Sequence, residues 1–384
     1  MMRMSIPVSG FVSALVGFSS TLAVVLAATA AVGATPEQTA SAVTAICLAL
    51  VVSTFVLSWR SRMPVVTAWS TPGLALVAAS HGFSMADAVG AFILTALLLI
   101  GTGLLRPLMK LVARIPVSVS SGMLAGILFA FVANVARATD TDPALVLPLV
   151  ALFFIARLFS PTLSILIVLV AGGVLAVALG RLDALPNPEL STLVLIAPQF
   201  SVAALLGLAI PLYLVTMASQ NLSGLAVLKA DGFVPAPGPI IAITGAVSLL
   251  SAPFGAGTSN LSAMAAAFCT GPDAHPDPTE RWKTSWFYAA TYFVFALFGA
   301  SLVALVAALP PVFIVLVAGL GLLGSFANAL SIAVSVPSQR IAAATAFAVT
   351  ASGLVLGGIG SAFWGLVAGL VVYALETWKS SRTI

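Results

Sequence analysis

The polar side chains that could do chemistry in this chain are neutral and fall in a few places. Ser219, Gln220 and Asn221 follow one another in an apolar run. Thr258, Ser259 and Asn260 follow a glycine-rich break, Phe254-Gly255-Ala256-Gly257. Ser70 and Thr71 precede Pro72 and Gly73 in a similar setting. Ser, Thr and Asn accept the orphan N–H groups of a helix N-terminus. A helix that opens at such a break inside a bilayer aims its positive end at an adjacent cavity, which suits an anion. Capping and anion binding draw on the same N–H groups, so the structural and functional readings of Ser70, Thr71, Gly257, Thr258, Ser259 and Asn260 are compatible. A Gln–Asn pair carries several donors and acceptors, each costly if unsatisfied in lipid. Three polar residues in a row cannot all face one neighbouring helix, which favours cavity lining for Ser219, Gln220 and Asn221 over helix–helix hydrogen bonding. For Ser19 and Ser20, with Phe18 and Thr21 beside them, lining and close packing stand as equal readings. Trp69 and Phe254 flank the two breaks, where stacking on an aromatic substrate competes with plain packing.

The remaining chemistry is notable for what it excludes. The acidic residues all fall in loops or at segment ends: Glu37, Asp87, Asp140, Asp142, Asp183 and Glu189 on one side, Asp231, Asp273, Asp277, Glu280 and Glu376 on the other. A cation substrate calls for a fixed carboxylate at mid-depth; an anion calls for helix N-termini and neutral donors. Neither His81 nor His275 has metal-ligand spacing with another ligating residue. The two cysteines, Cys47 and Cys269, make neither a disulfide framework nor a metal set. No Ser-His-Asp set and no P-loop occurs. The expectation is no enzyme, no metal and no cofactor.

These residues must be positioned by membrane-embedded helices. Of the 384 residues 61% are hydrophobic and 7% charged, against about 25% charged in a soluble domain. The apolar runs are of spanning length, about 20 residues each. The partner is a lipid bilayer, and the net charge of +4 reflects topology rather than nucleic-acid binding. Fourteen segments are predicted, roughly 9–31, 37–58, 64–80, 84–105, 116–134, 142–158, 161–180, 200–221, 238–250, 251–271, 283–308, 310–330, 337–356 and 358–378. The third and tenth are short and interrupted, and are read as half-helices. Loops are brief, so residues 1–384 form one integral unit. Arg3 precedes a first run long enough to span, which argues against a cleaved signal. With both termini inside, the inner loops and ends hold Arg3, Arg60, Arg62, Arg106, Lys110, Arg114, Arg157, Lys229, Arg281, Lys283, Arg340, Lys379 and Arg382. Of the 15 Lys and Arg, only Arg137 and Arg181 fall outside, a strong positive-inside bias. Pro64 and Pro253 are 189 positions apart, as are Ser70 and Ser259. Two halves of seven segments each must be inverted relative to one another. Paired interrupted segments in such halves point to a transporter's binding site.

The run Met217–Gly232 (MASQNLSGLAVLKADG), the break Ala252–Gly257 (APFGAG) and the loop Cys269–Pro278 (CTGPDAHPDP) followed by Arg281-Trp282 resemble the bacterial benzoate membrane transport (BenE) family. Length and segment order extend the resemblance over the whole chain, while the central block of about sixty residues carries its specificity. The resemblance implies a benzoate/proton symporter of the bacterial inner membrane, multi-pass with both termini cytoplasmic. It also implies an all-α membrane fold of two inverted seven-segment repeats, shared with nucleobase–cation symporters, sulfate permeases and bicarbonate transporters. In that fold a core domain (9–110 and 200–308, segments 1–4 and 8–11) moves against a gate domain (116–180 and 310–378, segments 5–7 and 12–14). Substrate sits between the half-helices of segments 3 and 10, beside segments 1 and 8. Nucleobase relatives carry glutamates in segments 8 and 10; the counterparts here are Gln220 and a position near Ser259 or Asn260, which suits an anion. The implied partners are benzoate or a similar aromatic acid and a proton, with a homodimer expected by analogy. The alternative is an uncoupled facilitator or channel for small organic anions.

Overall fold

The computed structural model describes residues 5–105, 107–108, 114–161, 163–181 and 188–380. Arg3, Arg106, Lys110, Asp183 and Arg382, used in the charge reading, lie outside them. In chain order the principal elements are α1 (Ile6–Ala31), α2 (Pro36–Ser61), β1 (Thr67–Trp69), α3 (Thr71–Ala78), α4 (Met85–Leu104), α5 (Val117–Thr141), α6 (Pro143–Phe159) and α7 (Ser164–Ala178). There follow α8 (Val202–Ala230), α9 (Pro237–Ser251), β2 (Ser259–Leu261), α10 (Ala263–Thr270), α11 (Thr284–Leu297), α12 (Gly299–Ala307), α13 (Pro311–Ala333), α14 (Arg340–Ala351) and α15 (Ser361–Ser380). Among the described residues eight helices are long and apolar enough to cross a membrane, or up to nine if the bent pair α11–α12 is one span. The chain is therefore a multi-pass helical membrane protein.

Local sequence sets many helix starts. Pro36, Pro143, Pro237 and Pro311 occupy first-turn positions, where the missing N–H breaks no helical bond. Thr35 with Gln38, and Ser84 with Asp87, form reciprocal capping boxes. The helices then pack in two sets of neighbours. α13 and α14 lie on α5, with α15 on α14. α9 lies on α4, α11 on α2, and α1 runs between α11, α3, α10 and α13.

Near the middle sits an antiparallel pair of three-residue strands, with Thr67 opposite Leu261, Ala68 opposite Asn260 and Trp69 opposite Ser259. A strand pair inside a bilayer has two unpaired edges, which lipid cannot satisfy. Neighbouring side chains cover them here. On the β1 edge the Thr67 N–H donates to Thr54 Oγ1 at 3.1 Å and the Tyr288 hydroxyl donates to the Thr67 carbonyl at 2.7 Å. On the β2 edge the Ser259 N–H donates to Ser248 Oγ at 2.8 Å and the Leu261 N–H to Asn221 Oδ1 at 3.1 Å. The Ser70 N–H and the Ser262 N–H donate across the break to the carbonyls of Thr258 and Val66.

This arrangement corrects three expectations. The tenth-segment helix does not open at Thr258, Ser259 or Asn260. Ser259 and Asn260 are strand residues, and Ser262 is the N-cap, its Oγ accepting from the Ala265 N–H. The two N-caps, Ser70 and Ser262, are 192 positions apart, so the 189 offset misaligned the breaks by three residues. The cause is the turn after α9, a 3-10 turn at Ala252–Phe254 closed by Gly255 at φ +85°. That backbone favours glycine, and a Cβ there would also meet Met85 Cε at 2.6 Å. Second, Asn221 does not end its segment. α8 continues to Ala230 because Leu222–Ala230 contains no proline and Lys229 suits a helix C-terminus. Gly224 lets this extension lie against β2, since a Cβ there would stand 2.5 Å from Leu261 Cβ. Third, the eleventh segment is bent by 67° between Leu297 and Gly299.

Candidate functional site

A cavity of about 250 Å³ lies where α3 and α10 begin. Its wall includes Thr71, the first residue of α3, and Ser262, Ala263, Met264 and Ala265 of the α10 opening. The first N–H groups of a helix have no intrahelical partner. At α3 only Thr71 offers such a group to the cavity, because Pro72 has none and the Gly73 N–H is taken by Ser70 Oγ. At α10 the Ala263 and Met264 positions both offer one, since Ser262 Oγ uses only the Ala265 N–H. The α10 opening thus presents more unpaired first-turn N–H groups than the α3 opening.

Other elements complete the enclosure. α1 contributes Gly17, Ser20 and Thr21, whose Oγ1 lies 2.8 Å from Thr71 Oγ1. α8 contributes Ser219, Gln220 and Ser223. Residues 216–221 of α8 form a π-helical turn, a wider coil that frequently marks functional positions. Trp69 borders the cavity but is almost fully buried, its ring 5.5 Å from Phe18 and edge-on to Tyr292 at 6.4 Å. Every residue lining the cavity is neutral.

The cavity therefore brings together five of the predicted residues: Ser20, Trp69, Thr71, Ser219 and Gln220. The others build the frame. Ser70 caps α3 and lies 2.9 Å from Thr216 Oγ1, which lies 3.2 Å from Thr258 Oγ1. This hydroxyl chain ties both breaks to α8. Gly257 and Thr258 border a small apolar void behind Trp69. Ser259 and Asn260 are fully buried in β2. Asn221 is also fully buried and holds the β2 edge, so it is a support and not a lining residue. Its neighbours at 219 and 220 project to the cavity instead because successive residues around a helical coil point in different directions. Ser19 donates to the Val16 carbonyl beside an apolar crevice, and Phe254 borders a shallow apolar groove with Leu250. Asn221→Leu is expected to leave the Leu261 N–H buried without a partner, at a cost of about 1–3 kcal/mol. The check is a lowered melting temperature in detergent; an unchanged one removes the support role.

Thr21, grouped with Ser19 and Ser20 in the sequence reading, also lines the cavity; that reading missed Ser223, Ser262, the α10 backbone, and Gly321, Gly324, Ser325 and Asn328 of α13. Ser262 was readable once the breaks are aligned by strand, since each strand triplet is followed directly by a serine (TAW-Ser70, SNL-Ser262). Ser325 and Asn328 were visible as polar residues in an apolar run.

Two other regions hold the histidines. A second cavity, about 300 Å³, lies at the far end of α3, lined by Ser80 and His81 with Asn134 and Thr350. His275 Nδ1 accepts from the Asp277 N–H at 3.1 Å in the loop after α10. In that loop the Thr279 hydroxyl and N–H donate to Asp277 and hold its carboxyl below the usual range. Among the described residues no cluster of metal-ligating side chains occurs.

The comparisons agree with this architecture. The family model described as benzoate membrane transport protein matches residues 1–375. The chain is 39% identical over 378 residues to the inner membrane protein YdcO of Escherichia coli K12, covering 97% of this chain and 96% of that protein. It is 35% identical over 372 residues to the benzoate membrane transport protein of Acinetobacter baylyi, covering 96% and 94%. Among solved structures, the transmembrane domain of the cyanobacterial bicarbonate transporter BicA superposes with a TM-score of 0.61 at 17% identity, covering 94% of this chain and 96% of that one. At that identity the likeness establishes the fold. By family match and near full-length identity, the chain belongs to the benzoate membrane transport family and is a membrane transporter, not an enzyme.

Proposed function

We propose that this transporter carries out proton-coupled uptake of benzoate or a closely related aromatic carboxylate by alternating access. The observation that carries the reading is a neutral cavity at two helix N-termini. A carboxylate near its ordinary pKa of about 4 is ionised at neutral pH. It would accept hydrogen bonds from the Ala263 and Met264 N–H groups, the Thr71 hydroxyl or N–H, and the Gln220 amide. Each helix end carries roughly half a positive charge, and hydrogen bonds to an ion are about twice as strong as neutral ones. The ring would lie toward Trp69 and the α1 wall.

We assign the substrate contacts to Ser20, Trp69, Thr71, Ser219 and Gln220 and the α10 opening, with Ser70, Asn221, Thr258, Ser259 and Asn260 holding the frame. The fold reading is fourteen crossings in two inverted repeats, with the strand–helix units β1–α3 and β2–α10 as their half-helices. Helical or strand–helix residues occur in each of the fourteen stretches. The core (9–110, 200–308) and gate (116–180, 310–378) division is supported by the two sets of packing neighbours. An inner-membrane location with cytoplasmic termini rests on the basic residues and on the aromatic group beside them. Phe55 stacks with Trp59, and Arg62 lies 4.3 Å above Trp282, as at a membrane interface.

Uptake of an anion against an inside-negative potential costs about 2.3 kcal/mol per 100 mV. One accompanying proton removes that cost. Since no titratable side chain lines the cavity, the proton is best carried on the substrate carboxyl. The test is radiolabelled benzoate uptake into proteoliposomes with and without an imposed pH gradient. Symport predicts accumulation only with the gradient acid outside; gradient-independent equilibration identifies the uncoupled facilitator instead.

A further inference from the structure

We infer that α13 reads the far end of the substrate ring, and that the site accepts benzoates bearing a polar ring substituent such as a hydroxyl. This rests on the cavity being an aromatic carboxylate site. α13 is apolar apart from Ser325, Asn328 and Ser331. Gly321, Gly324, Ser325 and Asn328 all line the cavity, and their spacing of 3, 4 and 7 residues puts them on one helix face. Polar residues in membrane helices turn toward a protein interior or a water-filled cavity. Neither Ser325 nor Asn328 hydrogen-bonds another described residue through its side chain. Some helix serines here close on a carbonyl four residues back, as Ser53, Ser219 and Ser248 do, and Ser325 does not. The free groups on α13 are therefore open to a ligand or water.

The two ends of the cavity differ in kind. The N–H groups at Ala263 and Met264 suit the carboxylate. A ring anchored there, with one face toward Trp69 and α1, turns its far edge away from the helix ends, toward wall to which α13 contributes Gly321, Gly324, Ser325 and Asn328. Plain benzoate has only C–H groups to offer Ser325 and Asn328. A hydroxyl would both donate and accept. There is room for it, because a Cβ at Gly324 would meet no atom within 4 Å.

The test is equilibrium binding to the purified full-length transporter in detergent. The ligands are benzoate and the three monohydroxybenzoates, and the proteins are wild type, Ser325→Ala and Asn328→Ala. At least one hydroxybenzoate should bind wild type as tightly as benzoate or more so. Its affinity should fall about fivefold in one or both variants, as for loss of one hydrogen bond, with benzoate changed less than twofold. If every hydroxybenzoate binds wild type more than tenfold weaker than benzoate, the inference is wrong, and this arm needs no variant. Equal losses for benzoate and hydroxybenzoate, or no loss for either, overturn it as well. Failure of wild type to bind any of the four acids sinks the proposed function, and this inference with it.

Discussion

Ala263→Pro is expected to weaken benzoate binding by about tenfold or more while leaving the transporter folded. The substitution removes one N–H at the first position of α10, where proline is tolerated because that group has no helical partner. Proline also restricts the residue before it to extended backbone. Ser262 already has φ −111° and ψ 123°, so no rearrangement is needed. The Ser262 cap on the Ala265 N–H does not involve residue 263 and is retained. What is lost is a donor to a charged acceptor, worth about 1.5–3 kcal/mol, or roughly 10- to 150-fold in affinity. Calorimetric titration of benzoate in detergent, alongside a melting curve, gives both readouts. Full-strength binding by a folded Ala263→Pro protein would mean that the carboxylate sits elsewhere.

The second large effect is expected at Arg281, which does not line the cavity but closes the other end of the same helix. Its side chain is 6% exposed. Nη1 donates to the Thr270 carbonyl at 2.8 Å, Nε to the His275 carbonyl at 2.7 Å and Nη2 to the Pro276 carbonyl at 3.2 Å. Thr270 is the last residue of α10, so the guanidinium satisfies a terminal carbonyl and complements the negative helix end. Arg281→Ala removes three charge-assisted bonds. Because water can reach part of the loop, the net loss is about 3 kcal/mol rather than the sum of three separate values. A clear drop in melting temperature and in folded yield should follow, together with weaker benzoate binding as α10 loses its anchorage. Arg281→Lys should rescue only partly, since one ammonium cannot span three carbonyls arranged for a planar fork. Wild-type melting and binding in Arg281→Ala would remove the anchoring role.

These two positions illustrate why the site was only partly legible beforehand. The breaks were visible because proline, glycine and clustered hydroxyls interrupt apolar runs. Their alignment was not. Counting from Pro64 and Pro253 matched Ser70 with Ser259, whereas the backbone matches it with Ser262. The difference is the turn at Ala252–Gly255, a matter of local conformation that residue types leave open. Ser259 and Asn260 have the composition of a helix cap, yet pairing with Ala68 and Trp69 draws them into a strand. Propensity gave way to a long-range partner, as it commonly does for short polar segments. Gln220 and Asn221 are adjacent in sequence and similar in chemistry, but one borders the cavity and the other holds the Leu261 N–H.

The sequence by itself determined the class of molecule. Long apolar runs with almost no buried charge require a membrane, and a cavity without carboxylates or lysines favours an anion held by neutral donors. It also marked two stretches where breakers act locally, but not the bend at Leu297–Gly299 in the eleventh segment. Only the tertiary structure decided which polar groups face open space. That outcome depends on register, on the rotation of each helix about its axis, and on neighbours hundreds of residues away. Ser248, Thr54 and Tyr288 cover the strand edges, which leaves the first N–H groups of α10 free to face the cavity. The break after α9 is therefore less a capped helix start than one strand of a pair, and the helix it leads to is capped by Ser262.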